Sequence, residues 1–203
     1  SLVKKARAYN GKVIATVATY KHALAARRDG ADALIVTGHE AAAHGGDVTS
    51  LVLVPSVVDA VDIPVIAAGG FADGRGLAAA MALGADGVAM GTRFMNTIES
   101  PVHPHTKNAS IEKTVHDTVY TDRVDGLPCR VMKSRGAQRL MNDRIPLIRA
   151  LFTSRDAAKA FGFPWITMLL GILAAGWQKS IQLARMANAF RPIQKSLDDG
   201  NWE

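Results

Sequence analysis

The sequence contains almost no cysteine. Cys129 is the only one among 203 residues, so an internal disulfide and a metal site with several cysteine ligands are both excluded. Such chains are typical of reducing compartments, and we expect a cytoplasmic protein. Cys129 lies in the turn-rich sequence Gly-Leu-Pro-Cys-Arg, where we predict a structural role rather than a nucleophile.

Negative charge is scarce in the last part of the chain. Residues 1–122 carry 11 basic and 12 acidic side chains, whereas residues 123–203 carry 13 and 6, so the formal net charge of +6 arises in the C-terminal part. The basic residues stand singly among apolar ones and are not interleaved with aromatics. This pattern is typical of a solvated helix face, and we predict no nucleic-acid partner. Binding of a phosphate-bearing substrate tail is the alternative use of these charges.

The chain also lacks a hydrophobic run long enough for a bilayer. The uncharged stretch at residues 160–178 contains Pro164, which suits a helix start and leaves about a dozen residues before Gly176. Such a helix is roughly 18 Å long, against a hydrocarbon core of ~30 Å. We predict a helix buried in the protein or at a subunit interface, as in a homodimer, without membrane contact. The N-terminal residues lack the apolar core of a secretory signal, and because position 1 is not Met we expect missing upstream sequence.

Four short apolar runs, none alternating with polar residues, lie in the first half of the chain. Continuous apolarity indicates strands buried on both faces of a sheet. Helix-length stretches separate them at residues 20–29, 55–61 and 75–83, the second opened by Pro55 at a first helical position. Strands joined by such crossovers run parallel. The apolar runs lie at residues 12–17, 33–36, 64–68 and 87–90.

We therefore expect an α/β fold, either a doubly wound sheet or a (β/α)8 barrel, which periodicity alone does not separate. Both folds place their sites beyond the C-terminal ends of the strands, where glycines and polar residues collect in this chain. After about residue 100, a segment rich in turns and charges leads into helical sequence. We divide the chain into residues 1–134, which carry the sheet, and a helical C-terminal region, residues 135–203.

Glycines follow two successive strands. Gly69 and Gly70 come after the third apolar run, and Gly91 comes after the fourth. Because glycine has no side chain, its backbone N–H can approach a phosphate closely, and the helix starts beyond these glycines add positive potential. The pattern predicts a phosphate-binding cup, and the alternative is that the glycines serve only tight turns.

The loop at residues 38–47 holds His39 and His44 among small residues. Their separation of five excludes the His-Glu-x-x-His helix of zinc proteases, and we predict no metal site. An imidazole at the end of a strand, with an unperturbed pKa of ~6.5, suits proton transfer near neutrality, so His44 is the candidate base and His39 lies behind it. The alternative for His44 is a loop imidazole bonded to a carbonyl. The sequence His103-Pro104-His105 has no third ligand nearby and is interpreted as a structured turn.

These loops resemble those of the nitronate monooxygenases, formerly called 2-nitropropane dioxygenases, and of the related flavin-dependent enoyl-ACP reductases. The resemblance covers most of residues 1–134. It rests on a Gly-x-Glu-small-small-His-x-Gly loop, here residues 38–45 with one extra small residue, and on residues 63–76 and 85–99. It implies that the four runs are strands 5 to 8, the C-terminal half of a (β/α)8 TIM barrel with an appended helical region. Strands 1 to 4 are then missing.

The resemblance also implies an FMN-dependent oxidoreductase that acts on a nitronate or nitroalkane with molecular oxygen. His44 takes the position of the catalytic base, which removes the α-proton of a neutral nitroalkane, and the flavin supplies most of the remaining chemistry. Thr16 and Thr37 stand where other members can have a lysine or an acidic or amide residue in contact with FMN. The FMN contacts carried over by position are Ala42 and Ala43 beside the flavin ring, and Ala68, Gly69, Gly70, Met90, Gly91 and Thr92, chiefly at the phosphate.

Two other functions stay open. The first is a flavin-dependent NAD(P)H reductase of an enoyl thioester or a quinone, because the basic C-terminal region could meet the phosphate of an acyl carrier or of coenzyme A. The second is a non-catalytic half-barrel, because half of a barrel would leave two strand edges unpaired.

Overall fold

The computed structural model describes residues 2–144, 146–162, 164–174 and 176–200. The chain divides into two compact units, residues 1–94 and 95–203, which are described separately. The predicted division at residue 134, where the sequence becomes helical, stays a prediction.

The first unit is built on a parallel sheet, as predicted. Its strand order is β1-β2-β4-β5, and every neighbouring pair runs parallel. The four strands match the four apolar runs of the sequence to within two residues at each end. A two-residue strand, β3, lies in the loop after β2. The strands are β1 Ile14–Val17, β2 Ala33–Thr37, β3 Ala43–His44, β4 Val65–Ala68 and β5 Gly87–Ala89.

The helices of this unit alternate with the strands. Two of them, α2 and α4, were predicted to within one residue at each end, and glycines at positive φ terminate both, Gly30 at 96° and Gly84 at 89°. The helices are α1 Leu2–Arg7, α2 Tyr20–Arg28, α3 Ser50–Val58, α4 Gly74–Ala82 and α5 Thr92–Met95.

The prediction for α3 was wrong at both ends. The helix begins at Ser50 and ends at Val58, so Pro55 lies inside it rather than at its first position. Its start is stabilised from elsewhere in the chain, because the Glu40 carboxylate accepts a hydrogen bond of 2.8 Å from the Ser50 backbone N–H. The N-cap residue Thr49 makes no side-chain hydrogen bond of its own, and the local sequence therefore gives a weak start signal.

The core of the first unit lies between the central strands and the helices. Leu34 and Val36 of β2 are fully buried, and so are Val54 and Val57 of α3. Val65 of β4 packs in the same cluster. Burial of each such side chain stabilises the fold by about 1.5–3 kcal/mol relative to exposure, which holds α3 on the sheet despite its internal proline.

A Gly-Ala-Asp sequence recurs before β2 and before β5. In each copy the aspartate accepts a hydrogen bond of 2.8 Å from the start of the neighbouring strand, Asp32 from the Val13 N–H and Asp86 from the Val65 N–H. The backbone hydrogen bond from Val13 is also the main cause that lowers the pKa of Asp32. These bonds fix the strand register at the N-terminal edge of the sheet, and the opposite edge is thereby aligned too.

The second unit combines a β-hairpin with helices. Strands β6 and β7 pair antiparallel, and helices follow them in the described part of this unit. Helices α8 and α10 pack along each other, and the Thr153 hydroxyl of α8 donates a hydrogen bond of 2.6 Å to the Asn188 side-chain oxygen of α10. The elements are α6 Pro104–Ile111, β6 Thr118–Thr121, β7 Cys129–Met132, α7 Arg135–Met141, α8 Pro146–Phe161, α9 Trp165–Ala174 and α10 Trp177–Asp198.

The two histidines near the start of this unit form a structured turn, as predicted. His103 is the N-cap of α6, and its Nδ1 accepts a hydrogen bond of 3.2 Å from the His105 backbone N–H. Pro104 occupies the first turn of the helix, where its missing N–H costs nothing. The sequence His-Pro-His therefore serves to start a helix.

Within the uncharged stretch, Trp165–Ala174 form the short helix α9, which begins directly after Pro164 as predicted. Among the described residues, no helix is both long enough and apolar enough to span a bilayer. The Trp165 indole N–H donates a hydrogen bond of 2.9 Å to the Ser154 hydroxyl and so ties α9 to α8. Ile166 and Leu170 are exposed, so the described chain does not itself bury this face, and the predicted burial at an interface stays a prediction.

Cys129 is a buried thiol at the start of β7. The pKa of the Cys129 thiol is raised to about 11, mainly by burial and further by the nearby Asp125 carboxylate. Since the thiolate is the reactive form, we expect native protein at pH 8 to react with iodoacetamide roughly 100-fold more slowly than urea-unfolded protein. Mass spectrometry of timed samples measures both rates. Equal rates would contradict the structural role assigned to this cysteine.

Candidate functional site

The strand register brings the glycine-rich and histidine-containing loops to one edge of the sheet. Thr37 pairs with Ala68, and Ala68 pairs with Ala89, so β2, β4 and β5 end side by side. The loops that follow them start at Gly38, Gly69 and Met90. Residues that are far apart in sequence are therefore neighbours at the carboxyl edge, where parallel α/β folds place their ligands.

The glycines after β4 and β5 have the geometry of a phosphate cup. Gly69 and Gly70 adopt φ angles of 100° and 81°, which side-chain-bearing residues rarely adopt. A Cβ built on Gly91 would meet nothing within 4 Å, so open space lies beside this residue. Within the described part of the chain, the backbone N–H groups of Gly70 and Gly91 have no hydrogen-bond partner. Unpaired N–H donors beside open space fit the phosphate of a flavin mononucleotide.

Two further contacts hold this cup in shape. The Arg93 guanidinium donates a hydrogen bond of 2.7 Å to the Ala72 carbonyl and so joins the loops after β4 and β5. Asp73 caps α4 by accepting hydrogen bonds from the Arg75 and Gly76 N–H groups. The pKa of Asp73 is lowered mainly by its hydrogen bond with the Arg75 side chain. The capping carboxylate therefore stays ionised. Neither Arg93 nor Asp73 was singled out from the sequence.

The loop after β2 is folded back on itself. The His39 backbone N–H donates to the Val48 carbonyl at 2.9 Å, and its ring Nδ1 lies 3.1 Å from the Gly46 carbonyl oxygen. A Cβ on Gly46 would lie 2.3 Å from the Ala18 carbonyl oxygen, so only glycine fits where this loop passes the end of β1. His39 therefore stabilises the loop, and its predicted place behind His44 stays a prediction.

His44 lies on β3 in this loop and is exposed. Ala42, two residues earlier, is exposed as well. The loop bearing His44 touches the cup through its earlier residues, because a Cβ on Gly69 would lie 3.0 Å from the Ala41 backbone nitrogen. The role of His44 as a base, and those of Ala42, Ala43, Ala68, Met90 and Thr92 as flavin contacts, stay predictions.

Sequence reasoning missed the roles of Glu40 and Ser50. Ser50 is almost fully buried, and its hydroxyl lies 2.9 Å from both Glu40 Oε2 and the Gly69 carbonyl oxygen. Glu40 belongs to the Gly-x-Glu motif, but nothing in the local pattern indicates its partner, which is ten residues away. Ser50 carries no sequence signal beyond its place near a helix start.

Among the described residues, no group of three or more histidine, cysteine, aspartate or glutamate side chains could hold a metal ion. The arrangement is suited instead to an anion held by backbone amides, with an imidazole on the neighbouring loop.

Known proteins include sequences and structures that are similar to this chain. The sequence profile of the nitronate monooxygenases matches residues 1–159. A relative from Rhodococcus jostii strain RHA1, named (3aS,4S,5R,7aS)-5-hydroxy-7a-methyl-1-oxo-octahydro-1H-indene-4-carboxyl-CoA dehydrogenase, is 40% identical, with the match covering 98% of this chain and 58% of the relative. The chain thus spans less than two thirds of the length of this relative.

Two solved structures are similar to the chain as well. FabK from Thermotoga maritima is 34% identical with a TM-score of 0.67, over 98% of this chain and 64% of that one. The nitroalkane oxidase from Streptomyces ansochromogenes is 32% identical with a TM-score of 0.62, over 68% of this chain and 43% of that one.

Proposed function

The chain belongs to the nitronate monooxygenase family, whose members are oxidoreductases, and from this premise we propose that its parent protein uses FMN to oxidise nitronates or nitroalkanes with molecular oxygen. One observation carries the proposal: within the described part of the chain, the backbone N–H groups of Gly70 and Gly91, on the loops after β4 and β5, have no hydrogen-bond partner. The similarity to a nitroalkane oxidase structure supports the same chemistry.

The cup residues would hold the cofactor by its phosphate. Amide donors on Gly69, Gly70 and Gly91 suit a phosphate dianion, because each donor adds a charge-assisted hydrogen bond. Bound FMN would supply the electron transfer from substrate to oxygen.

His44 would supply the proton transfer. A neutral nitroalkane must lose its α-proton before it can be oxidised, and an imidazole accepts a proton readily near pH 7. The exposed position of His44 on β3, in the loop after β2, is suited to a group that meets a ligand. A nitronate is already deprotonated and would not need this step.

The test of this proposal uses the purified full-length parent. We expect it to carry FMN and to consume oxygen when a nitronate is added, as measured with an oxygen electrode. An FMN-containing protein that consumes no oxygen with nitronates, and instead oxidises NAD(P)H rapidly, would overturn the nitronate assignment while leaving the flavin assignment intact.

A second candidate function is the oxidation or reduction of an acyl thioester. It is favoured by the large share of this chain that aligns with one relative. The Rhodococcus relative named as a carboxyl-CoA dehydrogenase aligns with 98% of the chain, including the basic C-terminal region, whereas the nitroalkane oxidase aligns with 68%. Coenzyme A carries several phosphates, which a region with 13 basic and 6 acidic residues can attract.

Stopped-flow reduction of the flavin separates the two candidates. Fast reduction by NAD(P)H followed by reoxidation with an enoyl-CoA would support the thioester candidate, and so would direct flavin reduction by a saturated acyl-CoA. Neither reaction is expected of an enzyme specific for nitronates.

We also propose that β1, β2, β4 and β5 are strands 5 to 8 of a (β/α)8 barrel. The parallel order supports this proposal, and so does Ile14 on the edge strand β1, which is 56% exposed where a closed barrel would cover it. If the 203-residue chain alone binds FMN at micromolar concentration and turns over substrate, the non-catalytic half-barrel is refuted.

A further inference from the structure

Ser50 is a polar residue in an apolar environment. It is 5% exposed at the first position of α3, next to the fully buried Val54 and Val57 of the same helix. A buried hydroxyl without a partner costs free energy, so its contacts are informative. Its oxygen lies 2.9 Å from Glu40 Oε2, 2.9 Å from the Gly69 carbonyl oxygen and 3.4 Å from the Ala68 carbonyl oxygen.

Glu40 binds the same serine through a second group. Its carboxylate oxygens accept hydrogen bonds of 2.8 and 3.1 Å from the Ser50 backbone N–H. The carboxylate therefore occupies the N-terminal end of α3, where the helix dipole favours a negative charge. This helix end is filled by the chain itself, which leaves the loops after β4 and β5 to receive an external anion.

The two loops are also in close contact around these bonds. A Cβ on Gly70 would lie 3.3 Å from the Glu40 Cβ, and one on Gly69 would lie 3.1 Å from the Gly38 carbonyl oxygen. Glu40 and Gly38 belong to the loop that carries His44, whereas Gly69 and Gly70 belong to the cup. The serine hydroxyl thus lies at the junction of the two loops.

We propose that Glu40 and Ser50 form a clasp that fixes the Gly69-Gly70 backbone against the loop bearing His44, and thereby orients the amides of the cup toward the phosphate of FMN. The inference rests on the proposed binding of FMN. Glu40 and Ser50 are positioning residues, because they act through the backbone of Gly69 and of the His44 loop.

A comparison of ligands with and without a phosphate distinguishes this positioning role from a merely structural one. FMN and riboflavin share the ring system, but only FMN carries the phosphate that the cup would hold. If the clasp orients the cup, its loss weakens FMN binding much more than riboflavin binding. A general loss of stability would weaken the binding of both ligands by similar factors.

The experiment titrates the apo form of the full-length parent with FMN and with riboflavin, following flavin fluorescence. We expect Ser50→Ala and Glu40→Gln each to raise the Kd of FMN about 3- to 10-fold, the usual effect of losing one hydrogen bond, and to change the Kd of riboflavin less than 2-fold. Because both residues belong to one hydrogen-bonded network, the double variant should bind FMN about as tightly as the weaker-binding single variant.

Ser56→Ala is the matched control, since Ser56 lies on the same helix, is exposed and donates a hydrogen bond to the Val52 carbonyl one turn earlier. It should leave both Kd values unchanged. Glu40→Gln alters an exposed residue and keeps the test available if Ser50→Ala does not fold. An unchanged ratio of the FMN and riboflavin Kd values in both variants, with wild-type binding of FMN intact, overturns the clasp alone. Failure of wild-type protein to bind FMN overturns the proposed function and the clasp together.

Discussion

The His44→Asn variant of the full-length parent is expected to lose neutral nitroalkane oxidation by about 10²- to 10⁴-fold in kcat/KM, the usual contribution of general base catalysis. Asparagine is close to histidine in size but cannot accept the α-proton. FMN content should stay at the wild-type level, because the cup that would hold the phosphate lies on other loops. Steady-state oxygen consumption with a neutral nitroalkane, together with the flavin absorbance of the same sample, gives both values.

The substrate provides an internal control. A preformed nitronate needs no base, so the variant should oxidise it within a few-fold of the wild-type rate. His22→Asn, at an exposed position on α2, is the matched control variant and should oxidise both substrates normally. Undiminished turnover of the neutral nitroalkane by His44→Asn would remove His44 from the mechanism.

Gly38→Ala is expected to lower the free energy of unfolding by about 1–3 kcal/mol or more, the cost of forcing an extra methyl into a packed site. A Cβ on Gly38 would lie 2.2 Å from the Ser50 hydroxyl oxygen, 2.5 Å from its backbone nitrogen and 2.7 Å from its Cα. Two of these three atoms are backbone at the start of α3, so a rotation of the serine side chain cannot relieve the clash. Urea unfolding followed by circular dichroism measures the change.

Gly74→Ala is the control for this substitution. Gly74 is the first residue of α4, and a Cβ there would meet nothing within 4 Å. Since alanine is the better helix former, the free energy of unfolding of the Gly74→Ala variant should be unchanged or higher by up to about 1 kcal/mol. Substitutions on the surface usually change the free energy of unfolding by less than about 0.5 kcal/mol. If the free energies of unfolding of Gly38→Ala and Gly74→Ala differ by no more than this, the close packing of the His44 loop against α3 is wrong.

Much of the first unit could be predicted because its signals are local. The apolar runs give the four strands, and the glycines at positions 30 and 84 give the ends of α2 and α4, since only the few residues around them are needed. The start of α3 could not be predicted in this way. Its cap is the Glu40 carboxylate, which no pattern within the helix indicates, and the internal Pro55 then favoured a later start.

The sequence by itself determined the α/β alternation, the parallel direction of the strands and the presence of glycines and a histidine at their carboxyl ends. Only the tertiary structure decided that the Ser50 hydroxyl meets Glu40 and the Gly69 carbonyl, ten and nineteen residues away, and that Gly38 must lack a side chain there. The reason is physical: periodicity and turn preferences act over a few residues, whereas these contacts exist only after β2 and β4 have paired in register and α3 has packed on them.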